Sequence, residues 1–210
     1  VARRKRLVEL SRKHGFIIAA DEVYQLLYQG APPPASFGTM IDAGNVVALG
    51  TFSKILAPGV RLGWIQASPE PLARLLSSGA MVSGGNFNHF GSHVVRQLME
   101  NGGLAAFVDR LRESYAERAN AMDAALRKQL GGRLKWQKPG GGYFFWLELP
   151  AGEDSAAFAA AARAAGTGFL PGAACSFDGG LKNCLRLSFA HYSVADIQDG
   201  IGRLARALAR

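Results

Sequence analysis

The stretch GTFSKILAPGVRLGW, from Gly50 to Trp64, sets the hydroxyls of Thr51 and Ser53, the amine of Lys54 and the guanidinium of Arg61 among small or apolar residues. A solvated loop would be more polar, and a plain core strand would carry neither lysine nor arginine. A lysine in an apolar frame loses hydration, which favours its neutral form, and a neighbouring guanidinium acts in the same direction. A neutral amine can attack an aldehyde and form an imine. Hydroxyls and a planar guanidinium fork suit a phosphate. A turn at Pro58 and Gly59 lets Arg61 face the same anion as Thr51 and Ser53. Taken singly, a lysine after a serine is an ordinary surface pair, and Arg61 could simply cover Trp64. The reading depends on other residues converging.

Upstream, FIIAADEVY (residues 16–24) is an apolar run that turns acidic at its end. That is the pattern of a buried parallel strand whose carboxyl end opens onto a site. NVVALG (45–50) reads as a second buried strand and RLGWIQA (61–67) as a third, and the direct step between them implies antiparallel pairing. ARRKRLVELSRKHG (2–15) reads as a helix with a glycine stop, and PEPLARLLSSGAM (69–81) as another helix. Together they predict an α/β layer. Asp21, at the end of its strand, can hold a proton on a pyridine nitrogen and so make the ring an electron sink; capping the next turn is the plainer alternative. Tyr24, three residues on, can reach the same face, or be an ordinary buried tyrosine. An aldehyde that carries a phosphate, binds an amine and needs a carboxylate at its ring nitrogen is pyridoxal 5′-phosphate.

Residues 91–130 are helical in period, interrupted at NGG (101–103), and the long segment from Leu104 ends at Gly131 and Gly132. Beyond it the pattern changes. LKWQKPGGGYFFWLELP (134–150) reads as a strand pair joined by glycines, SAAFAAAARAAG (155–166) as a helix, and TGFLPGAACSF (167–177) as a strand and loop. NCLRLSFA (183–190) is a strand and SVADIQDGIGRLARALAR (193–210) a closing helix. This is a second, α+β lobe. In NCLRLSFA, alternation puts Arg186 on the face of Cys184 and Ser188, opposite Leu185 and Leu187. A charge in an apolar strand needs a partner, and no acidic residue is local. An incoming carboxylate would serve, as would water if the strand lies at an edge.

The totals restrict the function classes. The chain has 210 residues and a net charge of +8, much of it in the basic run that opens the chain; such a run reads as a solvated helix face rather than a nucleic-acid contact. Cys175 and Cys184 have neither disulfide-framework nor metal-ligand spacing, which suits reduced thiols in a cytoplasmic protein. No segment has the length of an apolar membrane span.

DEVY, GTFSKILAPGVRLGW and NCLRLSFA, in this order and at these separations, resemble the class I and II aminotransferases, fold-type-I pyridoxal-phosphate enzymes. The lysine stretch together with SGGNFNHF (83–90) is most similar to the 2-aminoadipate and broad-specificity subgroup. The resemblance covers essentially the whole chain and implies the second half of a fold-type-I large domain (residues 1–103), a connecting helix (104–132) and a small α+β domain (133–210). It implies Lys54 as the Schiff-base lysine and proton shuttle, Asp21 at the pyridine nitrogen, Tyr24 at the phenolate oxygen, and Thr51, Ser53 and Arg61 at the phosphate. Arg186 would bind the substrate α-carboxylate, with Asn86, Asn88 and His89 as pocket candidates beside the slightly favoured alternative of plain turn and cap residues. The implied substrates are an α-amino acid and a 2-oxo acid, and the implied assembly is a homodimer. The family's glycine-containing phosphate loop, ring-stacking aromatic residue and N-P-x-G segment have no counterpart in the chain, which reads as part of a longer enzyme and is expected to be inactive alone. The alternatives are a lyase reaction on the same scaffold, β-elimination or decarboxylation, or the ligand-sensing domain of a winged-helix transcription regulator.

Overall fold

The computed structural model describes residues 1–84 and 87–209. The chain divides into two compact units, Val1–Leu111 and Arg112–Arg210.

The first unit opens with helix α1 (Ala2–His14), ended by Gly15 in the left-handed conformation, whose N–H donates to the Ser11 carbonyl at 2.8 Å. Arg12, Lys13 and His14 in the last turn suit the negative end of the helix dipole. Strand β1 (Ile18–Asp21) runs parallel to β2 (Val46–Thr51), and β2 pairs antiparallel with β3 (Gly63–Ala67). A parallel pair needs a crossover, and here it contains a 3-10 segment at Phe37–Ala43. Val8 of α1 meets Ile18 and Val46, with Phe37, Met40 and Ile41 packed around them. Two buried hydroxyls are satisfied by backbone: Ser11 donates to the Phe16 carbonyl and Ser68 to that of Ile41.

The expectation of fully buried strands is corrected here. Only Ile18 of β1 is buried, Val46 and Ala48 carry the burial of β2, and β3 buries only Ala67. One sheet face packs on α1 and the 3-10 segment, while Trp64 and Ile65 remain accessible. The helix expected over 69–81 is two helices, α2 (Pro69–Leu76) and α3 (Gly79–Gly84). Ser77 sits at the break, its side chain donating to the Arg74 carbonyl at 2.9 Å, the local competition by which serine ends helices. Helices α4 (His89–Glu100) and α5 (Gly103–Leu130) follow. Helix α5 begins in the first unit and ends in the second.

In the second unit, β4 (Lys135–Trp136) and β5 (Phe144–Glu148) form the expected pair, and a 3-10 turn leads into helix α6 (Ala159–Ala164). Strands β6 (Leu170–Pro171) and β7 (Cys184–Ser188) complete an antiparallel sheet of order β4-β5-β7-β6, and α7 (Val194–Leu208) closes the chain. Helix α7 starts at a reciprocal capping box between Ser193 and Asp196 and buries Ile197, Ile201, Leu204 and Leu208, a one-face helical period. Tyr115, Ala119, Met122, Leu126 and Leu130 form the corresponding stripe on α5. Asp123 joins α5 to β4, accepting from Arg127 and from the Trp136 indole N–H, each at 2.8 Å. No helix of the described residues is long and apolar enough to cross a membrane.

Candidate active site

The parallel pair β1–β2 presents both carboxyl ends at one edge. Asp21 ends β1, paired with Leu49 and exposed, and the N–H of Glu22 continues the ladder to the Leu49 carbonyl at 3.0 Å. Strand β2 runs two residues further and enters a tight turn. There the Phe52 carbonyl accepts the N–H groups of Ile55, Leu56 and Ala57 at 3.3, 2.8 and 3.2 Å. Phe52 and Ile55 are buried while Ser53 and Lys54 are half-buried, so the apolar neighbours anchor the turn that carries the hydroxyl and the amine. Thr51, expected at a phosphate, shapes this turn: its hydroxyl donates to the Leu62 carbonyl at 3.3 Å and accepts the Ser53 N–H at 3.1 Å.

The return to β3 depends on two close approaches. Gly50 pairs with Trp64, and a Cβ on Gly50 would lie 2.1 Å from the indole ring; a Cβ on Gly63 would lie 2.7 Å from the Gly50 carbonyl oxygen. Before β3, a 3-10 turn at Pro58–Val60 delivers Arg61 in the left-handed region, φ 48° and ψ 44°. For a residue with a side chain this conformation costs about 1–2 kcal/mol, and it persists where the surroundings fix it. Exposed Arg61 gives one bond to its own turn, Nη1 to the Pro58 carbonyl at 3.1 Å, which leaves guanidinium donors for a ligand.

Tyr24 is half-buried in the turn after β1, its carbonyl accepting the Leu27 N–H at 2.9 Å. Its neighbour Glu22, passed over in the sequence, is structural: its carboxylate pairs with Arg4 at 3.2 Å and accepts from Ser36 and from the Phe37 N–H. Asn88 caps α4, its Oδ1 accepting the Gly91 N–H at 3.0 Å, and its Nδ2 donates to the Val60 carbonyl at 2.6 Å. His89 begins α4, with its Nε2 3.2 Å from that of His93. Asn86 lies outside the described residues.

Arg186 belongs to the second unit. Strand β7 is flanked by β5 and β6, so Arg186 is not on an edge strand. Its partner in the fold is aromatic: the guanidinium carbon lies 4.1 Å from the Phe144 ring centroid, cation–π geometry. In sequence Phe144 is one of four consecutive aromatic residues, YFFW (143–146), and nothing there singles it out as the partner of Arg186. Arg186 lines a cavity of about 810 Å³, together with Phe144, Leu170, Ser188 and Tyr192.

Lys54, Ser53, Arg61 and Asp21 therefore share one sheet and the turns that extend it, while Arg186 occupies its own unit. An amine, a hydroxyl, a guanidinium with spare donors and a carboxylate at the strand ends fit an anionic cofactor with an electrophilic carbonyl. Among the described residues, no group of three or more His, Cys, Asp or Glu could hold a metal ion.

The family model for aminotransferase class I and II matches residues 1–204. An aromatic-amino-acid aminotransferase of Thermococcus litoralis is 37% identical over 206 residues, covering 98% of this chain and 49% of the relative. The crystal structure of an alpha-aminoadipate aminotransferase from Thermus thermophilus, complexed with N-(5′-phosphopyridoxyl)-L-leucine, aligns with a TM-score of 0.88 and 33% identity, over 98% of this chain and 53% of that one. That of a Pyrococcus horikoshii kynurenine aminotransferase in complex with PMP aligns with a TM-score of 0.91 and 34% identity, over 100% and 52%. The chain thus spans about half the length of the relatives it matches.

Proposed function

The chain belongs to the class I and II aminotransferase family, and from that premise we propose that Gly50–Trp64, with Asp21 and Tyr24, is the cofactor-binding part of a pyridoxal 5′-phosphate-dependent transaminase. The reaction moves an amino group between an α-amino acid and a 2-oxo acid. Its main support is the shared edge described above: the carboxyl end of β1 supplies Asp21, and adjacent β2 leads directly into Ser53 and Lys54.

When bound, the cofactor supplies an electron sink for breaking the bond between the substrate's α carbon and its hydrogen. The Asp21 carboxylate holds the proton on the ring nitrogen, and the Tyr24 hydroxyl donates to the ring's phenolate oxygen. Ser53 and Arg61 hold the phosphate, on a turn shaped by Thr51. Lys54 would hold the cofactor through Nζ and, with its amine free, would take the proton from the substrate's α carbon as general base. Arg186 receives the substrate's α-carboxylate through its planar fork.

The similar proteins act, by their names, on aromatic amino acids, alpha-aminoadipate and kynurenine, so the proposed donors are these, with 2-oxoglutarate as acceptor. A homodimer in the cytoplasm completes the reading. Phe87 and Phe90, 80% and 82% accessible beside Asn88, are consistent with a covered surface, and the two free cysteines suit a reducing compartment.

The test uses the full-length protein that carries this chain. Borohydride reduction after loading with pyridoxal phosphate should fix a phosphopyridoxyl group on Lys54, mapped by peptide mass spectrometry. Lys54→Ala should lose both the label and amino transfer to 2-oxoglutarate. A label on a different lysine, with Lys54→Ala still active, overturns the assignment.

A further inference from the structure

We infer that Asn88 is a positioning residue for the phosphate grip, acting through the Val60 carbonyl to hold Arg61 in its left-handed conformation. This rests on the cofactor site proposed above and adds a residue that touches neither cofactor nor substrate.

The Val60 carbonyl belongs to the peptide unit joining Val60 to Arg61. Fixing its oxygen fixes the plane of that peptide, and with it the φ angle of Arg61. Asn88 supplies the fixing bond, Nδ2 to Val60 O at 2.6 Å, across 28 positions of sequence. Its other carboxamide atom is also engaged: Oδ1 accepts the Gly91 N–H at 3.0 Å, at the start of α4. The amide is therefore held at both ends, and its orientation follows from the helix that it caps.

Gly91 completes the device. A Cβ at that position would lie 2.5 Å from Asn88 Oδ1 and 2.6 Å from Nδ2, so any side chain there displaces the carboxamide. On the other side, the Val60 N–H bonds the Ala57 carbonyl at 3.3 Å, and the Leu62 carbonyl accepts the Phe52 N–H at 3.0 Å. The turn is anchored at Ala57 and at Leu62, and the peptide between Val60 and Arg61 is held by Asn88. Released, that peptide can rotate and Arg61 can relax to an ordinary conformation, which swings the guanidinium away from the anion it shares with Ser53.

The distinguishing property is specificity for the phosphate. Asn88→Ser keeps a good helix cap and adds no charge, but is too short to reach Val60. Gly91→Ala displaces the carboxamide without changing it. Dissociation constants for pyridoxal phosphate and for pyridoxal, which lacks the phosphate, are measured by calorimetry on the apo form of the full-length protein, beside Arg61→Ala as reference. Each of the two variants should weaken pyridoxal phosphate by about threefold to tenfold, the value of one hydrogen bond, and leave pyridoxal within about twofold. Asn88→Ser should add nothing once Arg61 is alanine. If either variant fails to fold by circular dichroism, the other decides. Equal weakening of both ligands, or no weakening while Arg61→Ala does weaken pyridoxal phosphate, overturns the inference and leaves the site proposal intact. If Arg61→Ala has no effect on pyridoxal phosphate, the site proposal fails and this inference fails with it.

Discussion

Asp21 and Glu22 adjoin in sequence, and the strand sends them to different duties: Asp21 is exposed at the sheet edge, while the Glu22 side chain is 11% accessible against Arg4, Ser36 and the Phe37 N–H. Removing the Glu22 carboxylate takes the acceptor from the Phe37 N–H and the Ser36 hydroxyl and leaves Arg4 only the Ala35 carbonyl and the Phe37 ring, so Glu22→Ala should cost about 1–3 kcal/mol of stability, read from urea unfolding. The two cysteines differ likewise. Cys175 is exposed, whereas burial first, and the nearby Glu148 carboxylate second, push the Cys184 thiol up. A thiol reagent at neutral pH should therefore modify Cys175 in the native protein and Cys184 only after denaturation. Lys54 stood out in the sequence through its company, Thr51, Ser53 and Arg61 among small or apolar residues, rather than by itself. The bonds of Glu22 and Asn88 were not, since their partners lie 14 to 28 positions away.

Strands and helices were legible where period and stop signals agreed, as in α1 with Gly15 and α7 with Ser193. Legibility failed where serines divided α2 from α3 and where apolar runs were taken as buried on both faces, because burial depends on what lies across the sheet. The hairpin of β2 and β3 makes its own demand. Gly50→Ala would drive a methyl into the Trp64 indole and should destabilise by about 1–3 kcal/mol, with a lower melting temperature and altered tryptophan fluorescence. Between α5 and β4, burial alone would raise the Asp123 pKa, but the Arg127 and Trp136 hydrogen bonds, with the Arg127 and Lys138 charges, outweigh it and lower it. Its contribution to stability is complete above the unfolded carboxyl value, about 3.9, and is lost as pH falls through the lower folded value. Asp123→Asn should therefore flatten the decline of stability below about pH 4, measured by urea unfolding across pH.

Across the molecule, the units differ in how much apolar surface they bury. The second buries Phe145, Leu147, Leu185, Phe189, Leu204 and Leu208 completely. Residues 103–210 expressed by themselves should unfold cooperatively by circular dichroism. The first unit keeps Trp64, Ile65, Phe87 and Phe90 accessible, and expressed by itself should bind a hydrophobic dye strongly. In the proposed function each unit contributes its own part of the chemistry. Resting on the Phe144 ring, Arg186 gives up part of its conformational freedom when the second unit folds. If Arg186 binds the substrate carboxylate as proposed, the arriving anion would meet a side chain already partly stilled, and would avoid part of the ordering cost of roughly 0.5–1.5 kcal/mol that a freely rotating arginine would impose at the moment of capture.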